Sequence, residues 1–219
     1  MRKYHHRDVP SNPKKEDFLL FLQEFFPFNS ADYLRCVAAE AIAEKAFVDV
    51  RRENGFKYVI HLRRVAMHVL VAMAKTGTVE ANSVIVALLH DNIEDFRGQG
   101  WFRRIWGQFG LDVAVGVWWC SKPAKIWFFN NKAMRDRVFH LKLRLAPRRI
   151  LLVKIFDRID NLGDMWLEYH TIEYQRQKIA ETTAVYFQLA KRNNMAYITL
   201  GKVIVIATKK VERYSQRKT

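Results

Sequence analysis

The 219-residue chain is half apolar, has only 9 glycines and 5 prolines, and sets 37 lysines and arginines against 22 acidic residues, a formal charge of +15. That composition excludes general disorder, and a chain of this length buries roughly 70% of its unfolded surface, so a core needs no disulfide and any metal would serve chemistry. Cys36 and Cys120 form no C-x-x-C pair, which argues against a zinc knuckle, a redox dithiol or a secreted disulfide scaffold. No run approaches the roughly 20 apolar residues of a membrane span, and no signal-type cleavage pattern follows the N-terminus, so the expectation is a reducing, cytoplasmic home without membrane. The charge favours polyanionic company, either nucleic acid or a phosphorylated metabolite.

Residues 1–15 are polar, carry Pro10 and Pro13, and read as an arm leading to a first helix near Glu16. There Phe18, Leu19, Phe21, Leu22, Phe25 and Phe26 follow a 3.6-residue period. Ser30 and Asp32 offer N-cap oxygens to a second helix, expected to stop near Asn54-Gly55. Further helices are expected at about 60–75, 80–95, 101–109, 111–121, 131–145, 147–168 and 171–193. The β-branched run in ITLGKVIVIATKKVERY suggests a strand, but no second convincing strand exists to pair with it, so this basic segment, 194–219, is assigned as helix. The fold class is all-α: one domain over 16–193, built of many short helices.

The informative stretch is ALLHDNIED, in which His90-Asp91 and Glu94-Asp95 close an apolar helix. Residues at i and i+4 share a face, so both pairs can line one cavity. Solvated acids are the bland alternative, but acids at a helix C-terminus oppose its dipole and call for a cation. Imidazole with carboxylate suits Mn, Fe or Zn. In ILLVKIFDRIDNLGDMW, the residues Lys154, Asp157 and Asn161 form a polar strip with Asp160 beside it. A plain Lys154–Asp157 salt bridge explains that segment taken alone. His61 lies in YVIHLRRVAMHVL, and spacing does not separate it from His68.

The order His, His-Asp, distant Asp resembles that of the HD phosphohydrolases, and within them the RelA/SpoT-type hydrolase domains of guanosine tetraphosphate metabolism. The likeness runs from about Ala43 to Asn193. It covers an arginine pair before a glycine turn, Tyr58-x-x-His61, the hexapeptide HDNIED, Phe109-Gly110 with Val113-Ala114, Ser121-Lys122, LVKIFDRIDNL and IAETTAVYFQLAKR. The resemblance implies an HD-domain bundle in which His61, His90, Asp91 and Asp157 hold one divalent ion, most simply Mn2+. It makes Glu94 and Asp95 the acids beside the attacking water and gives Asn161 the positioning of water or substrate. Arg51, Arg52, Lys122, Lys154 and Tyr186 would face the nucleotide. Three departures, Asp160, Gln188 and Trp118-Trp119, are expected where base or ribose is contacted.

The implied activity is hydrolysis of the 3′-pyrophosphate of (p)ppGpp, without the synthetase half of long RelA/SpoT proteins. The alternatives are an HD phosphatase acting on another nucleotide and, from another class, a nucleic-acid-binding protein on an HD scaffold, suggested by the charge and by WFRRIW.

Overall fold

The computed structural model describes residues 9–128, 131–165 and 169–217, and among them the secondary structure is helical apart from one isolated antiparallel bridge, Arg51 with Lys57. Helix α1 (Lys15–Gln23) starts where the Lys14 amide donates to Asp17 Oδ2 at 2.9 Å, and it buries Phe18, Phe21 and Leu22. Helix α2 (Ala31–Ala46) is capped by Ser30 Oγ, which accepts from the Tyr33 amide at 3.2 Å.

Helix α2 ends well before Asn54-Gly55, against expectation. After Phe47 the chain turns back on itself: the Tyr58 amide donates to Val50 O at 2.9 Å and the Arg52 amide to Phe56 O at 2.9 Å. Gly55 sits at the tip with φ +81°. The Asn-Gly pair therefore makes a tight turn, the alternative use of the same residues, and this turn presents Arg51 and Arg52 to the site described below.

Helix α3 (Tyr58–Thr76) is the central element, buried on nearly every face and closed by Gly77 in the left-handed region. It packs on α4 (Ala81–Leu89) and on α9 (Arg148–Gly163). The expected helix over 80–95 is two pieces, because α4 stops at Leu89 and a single turn, α5 (Asn92–Asp95), follows. That break sets His90 and Asp91 at a helix end.

Helices α6 (Trp101–Phe109) and α7 (Leu111–Cys120) pack against each other and are joined at Gly110. On α7, a Cβ at Gly116 would lie 2.7 Å from Val86 Cγ2 and 2.9 Å from Ile150 Cδ1, so this glycine permits the close approach of α7 to α4 and α9. A 3-10 turn (Lys125–Phe128) leads to α8 (Lys132–Leu145). The expected extension of α9 over 166–168 lies outside the described residues.

Helix α10 (Ile172–Glu181) continues through a π turn (Thr182–Tyr186) into α11 (Phe187–Ala190). The last segment is a helix, α12 (Asn194–Gln216), capped by Asn193. Its buried residues, Ala196, Leu200, Ala207 and Val211, recur at helical spacing and lie against α9 and α10, so the basic segment is packed onto the domain. At the other end the arm is tied down, since Arg64 Nη1 donates to Ser11 O at 2.7 Å. No helix among the described residues is long and apolar enough to cross a membrane.

His68 stacks on Phe156, with ring centroids 5.7 Å apart and planes at 17°. Burial pushes its imidazole down to about 4. Because the folded-state pKa lies below the unfolded value of about 6.5, the stability this neutral ring confers is present above that value and is lost as pH falls toward 4. Urea melts at pH 7.5 and pH 5.0 should therefore show a pH-dependent loss smaller by about 2 kcal/mol in His68→Gln than in the unmodified chain. Equal losses in both would mean that His68 is not held neutral.

Candidate metal centre and substrate cavity

Helix α3 supplies His61, the break after α4 supplies His90 and Asp91, and α9 supplies Asp157. One ligand-type atom from each of these four lies within 4.8 Å of every other. The two imidazole rings meet edge to face, 5.4 Å between centroids. His90 Nε2 is 2.9 Å from Asp91 Oδ2, and His61 Nε2 is 3.4 Å from Asp157 Oδ1. His68 takes no part.

The outer bonds fix how these groups present themselves. Nδ1 of His61 donates to Asp160 Oδ2 at 2.6 Å, and Nδ1 of His90 donates to Ala87 O at 2.8 Å. Each ring then turns Nε2 toward the common point, and both Nε2 atoms are buried with no hydrogen-bond partner. A neutral imidazole so arranged offers a lone pair inward, which is the usual second-sphere pattern behind a metal-bound histidine. Two inward lone pairs and two carboxylates fit one divalent cation.

The electrostatics ask for the same cation. Although burial alone would lower it, Asp91 and Asp157 push the His90 imidazole up to about 10. Burial would raise Asp157, but Lys154 and the two histidines hold it well below the usual carboxylate range. Lys154 Nζ stands 2.6 Å from Asp157 Oδ2, so the salt bridge read from the sequence exists. It occupies one oxygen only. The other oxygen, Oδ1, accepts from Asn161 Nδ2 at 2.6 Å and faces the histidines. Asp91 Oδ2 also accepts the Tyr58 hydroxyl at 2.7 Å.

Above this cluster opens a cavity of about 480 Å³, within the roughly 300–1,000 Å³ range of ligand pockets. Its inner wall is acidic, with Asp91, Asp157, Glu94 and Asp95. Its outer wall carries five cations, Arg51, Arg52, Lys122, Arg158 and Lys178, while a sixth, Lys154, is buried against Asp157. Tyr186 also lines it, brought there by the π turn and covered by the Arg158 guanidinium at 4.1 Å. Asn161 accepts from Arg52 Nη2 at 2.9 Å and so joins the two walls.

The two acids of HDNIED differ. Glu94 Oε2 accepts the Lys122 amide at 2.8 Å and Oε1 accepts Arg135 Nη2 at 3.2 Å, so both of its oxygens hold the segment after α7. Asp95 lines the same cavity, where partial burial and the carboxylates of Asp91 and Glu94 raise it to about 6.

Every residue assigned from the sequence either lines this cavity or lies directly beneath it. The three departures do not behave as expected. Asp160 points away from the cavity to His61 Nδ1 and to Arg64, whose Nε donates to Oδ1 at 2.6 Å. Trp118 is half exposed and lies under Lys142 Nζ at 3.7 Å. Neither tryptophan nor Gln188 lines the cavity.

The sequence reading missed Arg158, His170, Tyr174 and Lys178. Arg158 was adjacent to the assigned Asp157 and could have been taken with it. Its ordering partner is Glu181, at 3.3 Å from Arg158 Nη2, 3.1 Å from His140 Nε2 and 3.3 Å from Lys178 Nζ. The residues on and before α10 had no spacing signal.

Against known proteins, residues 38–196 match the HD domain family. Guanosine-3′,5′-bis(diphosphate) 3′-pyrophosphohydrolase of Aquifex aeolicus is 31% identical over 178 residues, 81% of this chain and 24% of that protein. Probable GTP diphosphokinase RSH3, chloroplastic, of Arabidopsis thaliana is 31% identical over 156 residues, 68% of this chain and 21% of that protein. The chain thus spans about a quarter of the length of these curated relatives, 24% and 21%. The solved structure of a metazoan ortholog of SpoT, described as hydrolyzing ppGpp, shares the fold, with a TM-score of 0.64 at 22% identity over 81% of this chain and 96% of that one.

If Asp160 orients His61, Asp160→Asn should keep the fold by circular dichroism and weaken Mn2+ binding about 10–100-fold. Asp157→Ala should bind no ion at all. Titration of free Mn2+ by electron paramagnetic resonance gives both affinities, and an unaltered affinity in Asp160→Asn would remove it from this role.

Proposed function

The chain belongs to the HD-domain family, and from that premise we propose that it hydrolyses the 3′-pyrophosphate of (p)ppGpp, releasing GDP or GTP and pyrophosphate. The observation that carries the reading is the four-residue cluster, with two unpartnered imidazole nitrogens, beneath a cavity lined by six cations. His61, His90, Asp91 and Asp157 would hold one ion, assigned as Mn2+ on its mixed nitrogen and oxygen donors. Such an ion, when bound, supplies Lewis acidity and lowers the pKa of water toward neutrality.

The chain's own groups then divide the work. Asp95 is the base that takes a proton from the attacking water, as a carboxylate raised to about 6 on the cavity wall is suited to do. Water oxygen bonds to phosphorus, the ribose 3′-oxygen leaves, and the proton passes to it. Arg51, Arg52, Lys122, Lys154, Arg158 and Lys178 offset the phosphate charge, and the arginine forks suit phosphate oxygens best. Asn161, fixed between Asp157 and Arg52, orients water or substrate. Glu94 acts at one remove by holding Lys122 in place.

We assign the protein to the cytoplasm, where its two buried thiols, Cys36 and Cys120, would stay reduced. Among possible partners the nucleotide is preferred to nucleic acid, because the cations with ordered partners, such as Arg158 and Lys178, converge inside a concave site.

Incubation with Mn2+ and a nucleotide panel should yield pyrophosphate from ppGpp; orthophosphate from another nucleotide would favour the HD phosphatase alternative. Asp95→Asn should retain the ion and lose about 10²–10⁴-fold in kcat. Glu94→Gln should act mainly by raising KM, since it loosens the Lys122 segment. Equal kcat losses in the two variants would contradict this division of labour.

A further inference from the structure

A second cavity, of about 500 Å³, lies between α2 and α6 and shares no lining residue with the first. Its walls are apolar and partly aromatic, formed by Ile42, Phe96, Trp101, Ile105 and Phe109. Ala46, Lys45, Arg104, Gln99 and Gln108 complete the lining, which contains no acidic residue. The Arg104 guanidinium stands 5.3 Å over the Trp101 ring. An apolar, partly aromatic slot rimmed by two cations and two amides is complementary to a planar aromatic anion.

The slot is joined to the metal centre by packed rings. Trp101 contacts Phe96 at 6.2 Å between centroids, Phe96 contacts Phe47 at 4.9 Å, and Phe47 stacks on Tyr58 at 4.7 Å. The Tyr58 hydroxyl donates to Asp91 Oδ2 at 2.7 Å. Phe96 also directly follows Glu94 and Asp95 in the chain, so a ligand pressing on Phe96 bears on both acids and, through Tyr58, on Asp91. We propose that this cavity is a regulatory site for a planar aromatic anion, coupled to the cluster of His61, His90, Asp91 and Asp157 through Phe96, Phe47 and Tyr58. The coupling rests on reading that cluster as a metal centre; it does not depend on the identity of the nucleotide substrate.

The test uses the full chain and 8-anilinonaphthalene-1-sulfonate as the probe. Calorimetric titration should give one probe per chain. Ala46→Trp, which fills the slot, and Arg104→Glu, which reverses its charge, should each weaken binding at least tenfold while leaving helix content and turnover without probe unchanged. Saturating probe should shift the Mn2+ affinity, read by electron paramagnetic resonance, at least fivefold in the unmodified chain. Tyr58→Phe should bind the probe normally and lose that shift. No defined binding, or binding indifferent to both slot variants, overturns the site. Binding with an unshifted Mn2+ affinity, or a shift that persists in Tyr58→Phe, overturns the coupling. Failure to cleave ppGpp would leave each of these readouts intact and would count against the proposed substrate alone.

Discussion

Two aspartates from distant parts of the chain, Asp91 and Asp157, are buried side by side, and much of the local architecture follows from that one electrostatic demand. In a low-dielectric interior two carboxylates at this separation repel strongly unless positive charge stands between or beside them. Lys154 neutralises one from the α9 side, and the imidazoles of His61 and His90 face both. The pull on His90, up to about 10, measures how strongly the site draws a cation, whether proton or metal. Each ring is in turn pinned at Nδ1, so the demand propagates outward from Asp160 to Arg64 and from Arg64 to the backbone of Ser11. The N-terminal arm is held, at that point, by a chain of contacts that begins at the centre of the site.

The same demand explains where α4 ends. A helix continued through His90 and Asp91 would carry both side chains on with its own screw. Ending α4 at Leu89 leaves His90 near-helical (φ −59°, ψ −26°) while Asp91 (φ −98°, ψ −9°) turns the chain into α5, just where His61 and Asp157 arrive. The apolar run SVIVALL then serves as the anchor: its fully buried residues fix the break against α2, α3, α7 and α9. Gly116 contributes by allowing α7 to lie directly on Val86 and Ile150. Placing the ligands is thus largely a matter of close packing, which resists small displacements.

Much of this was legible in the sequence, for identifiable reasons. The all-α class followed from helical periodicity, and the four candidate ligands from their order along the chain. Periodicity could not separate His61 from His68, which lie two turns apart on similar faces of α3. What separates them is their partners on α9, Asp160 and Asp157 for the first and the ring of Phe156 for the second. Asn54-Gly55 was assigned to a helix end because the same dipeptide serves helix ends and tight turns alike. Asp160 was placed toward the nucleotide because it departs from the pattern of the family that the chain resembles. Its rotation from Asp157 around the helix is enough to carry its carboxylate to the opposite side of His61. The cations of α10 were invisible because their place in the cavity depends on Glu181 gathering Arg158 and Lys178 from two helices.

The large positive charge divides by location, and the division bears on function. Four of the cavity's cations are ordered by carboxylates that do not share the inner wall: Glu181 holds Arg158 and Lys178, Asp136 holds Lys122 at 2.8 Å, and Asp164 stands 3.4 Å from Arg52 Nε. Fixed in this way, they lose little freedom when a polyanion enters, which is how preorganisation raises affinity. Asp91 and Asp157 of the inner wall, by contrast, are buried in the cluster. A cation held in the cluster with a compact polyphosphate above it would match both walls, whereas a uniformly charged polymer would match only the outer one. The arrangement of the charge, more than its amount, is what favours a small phosphorylated substrate over nucleic acid.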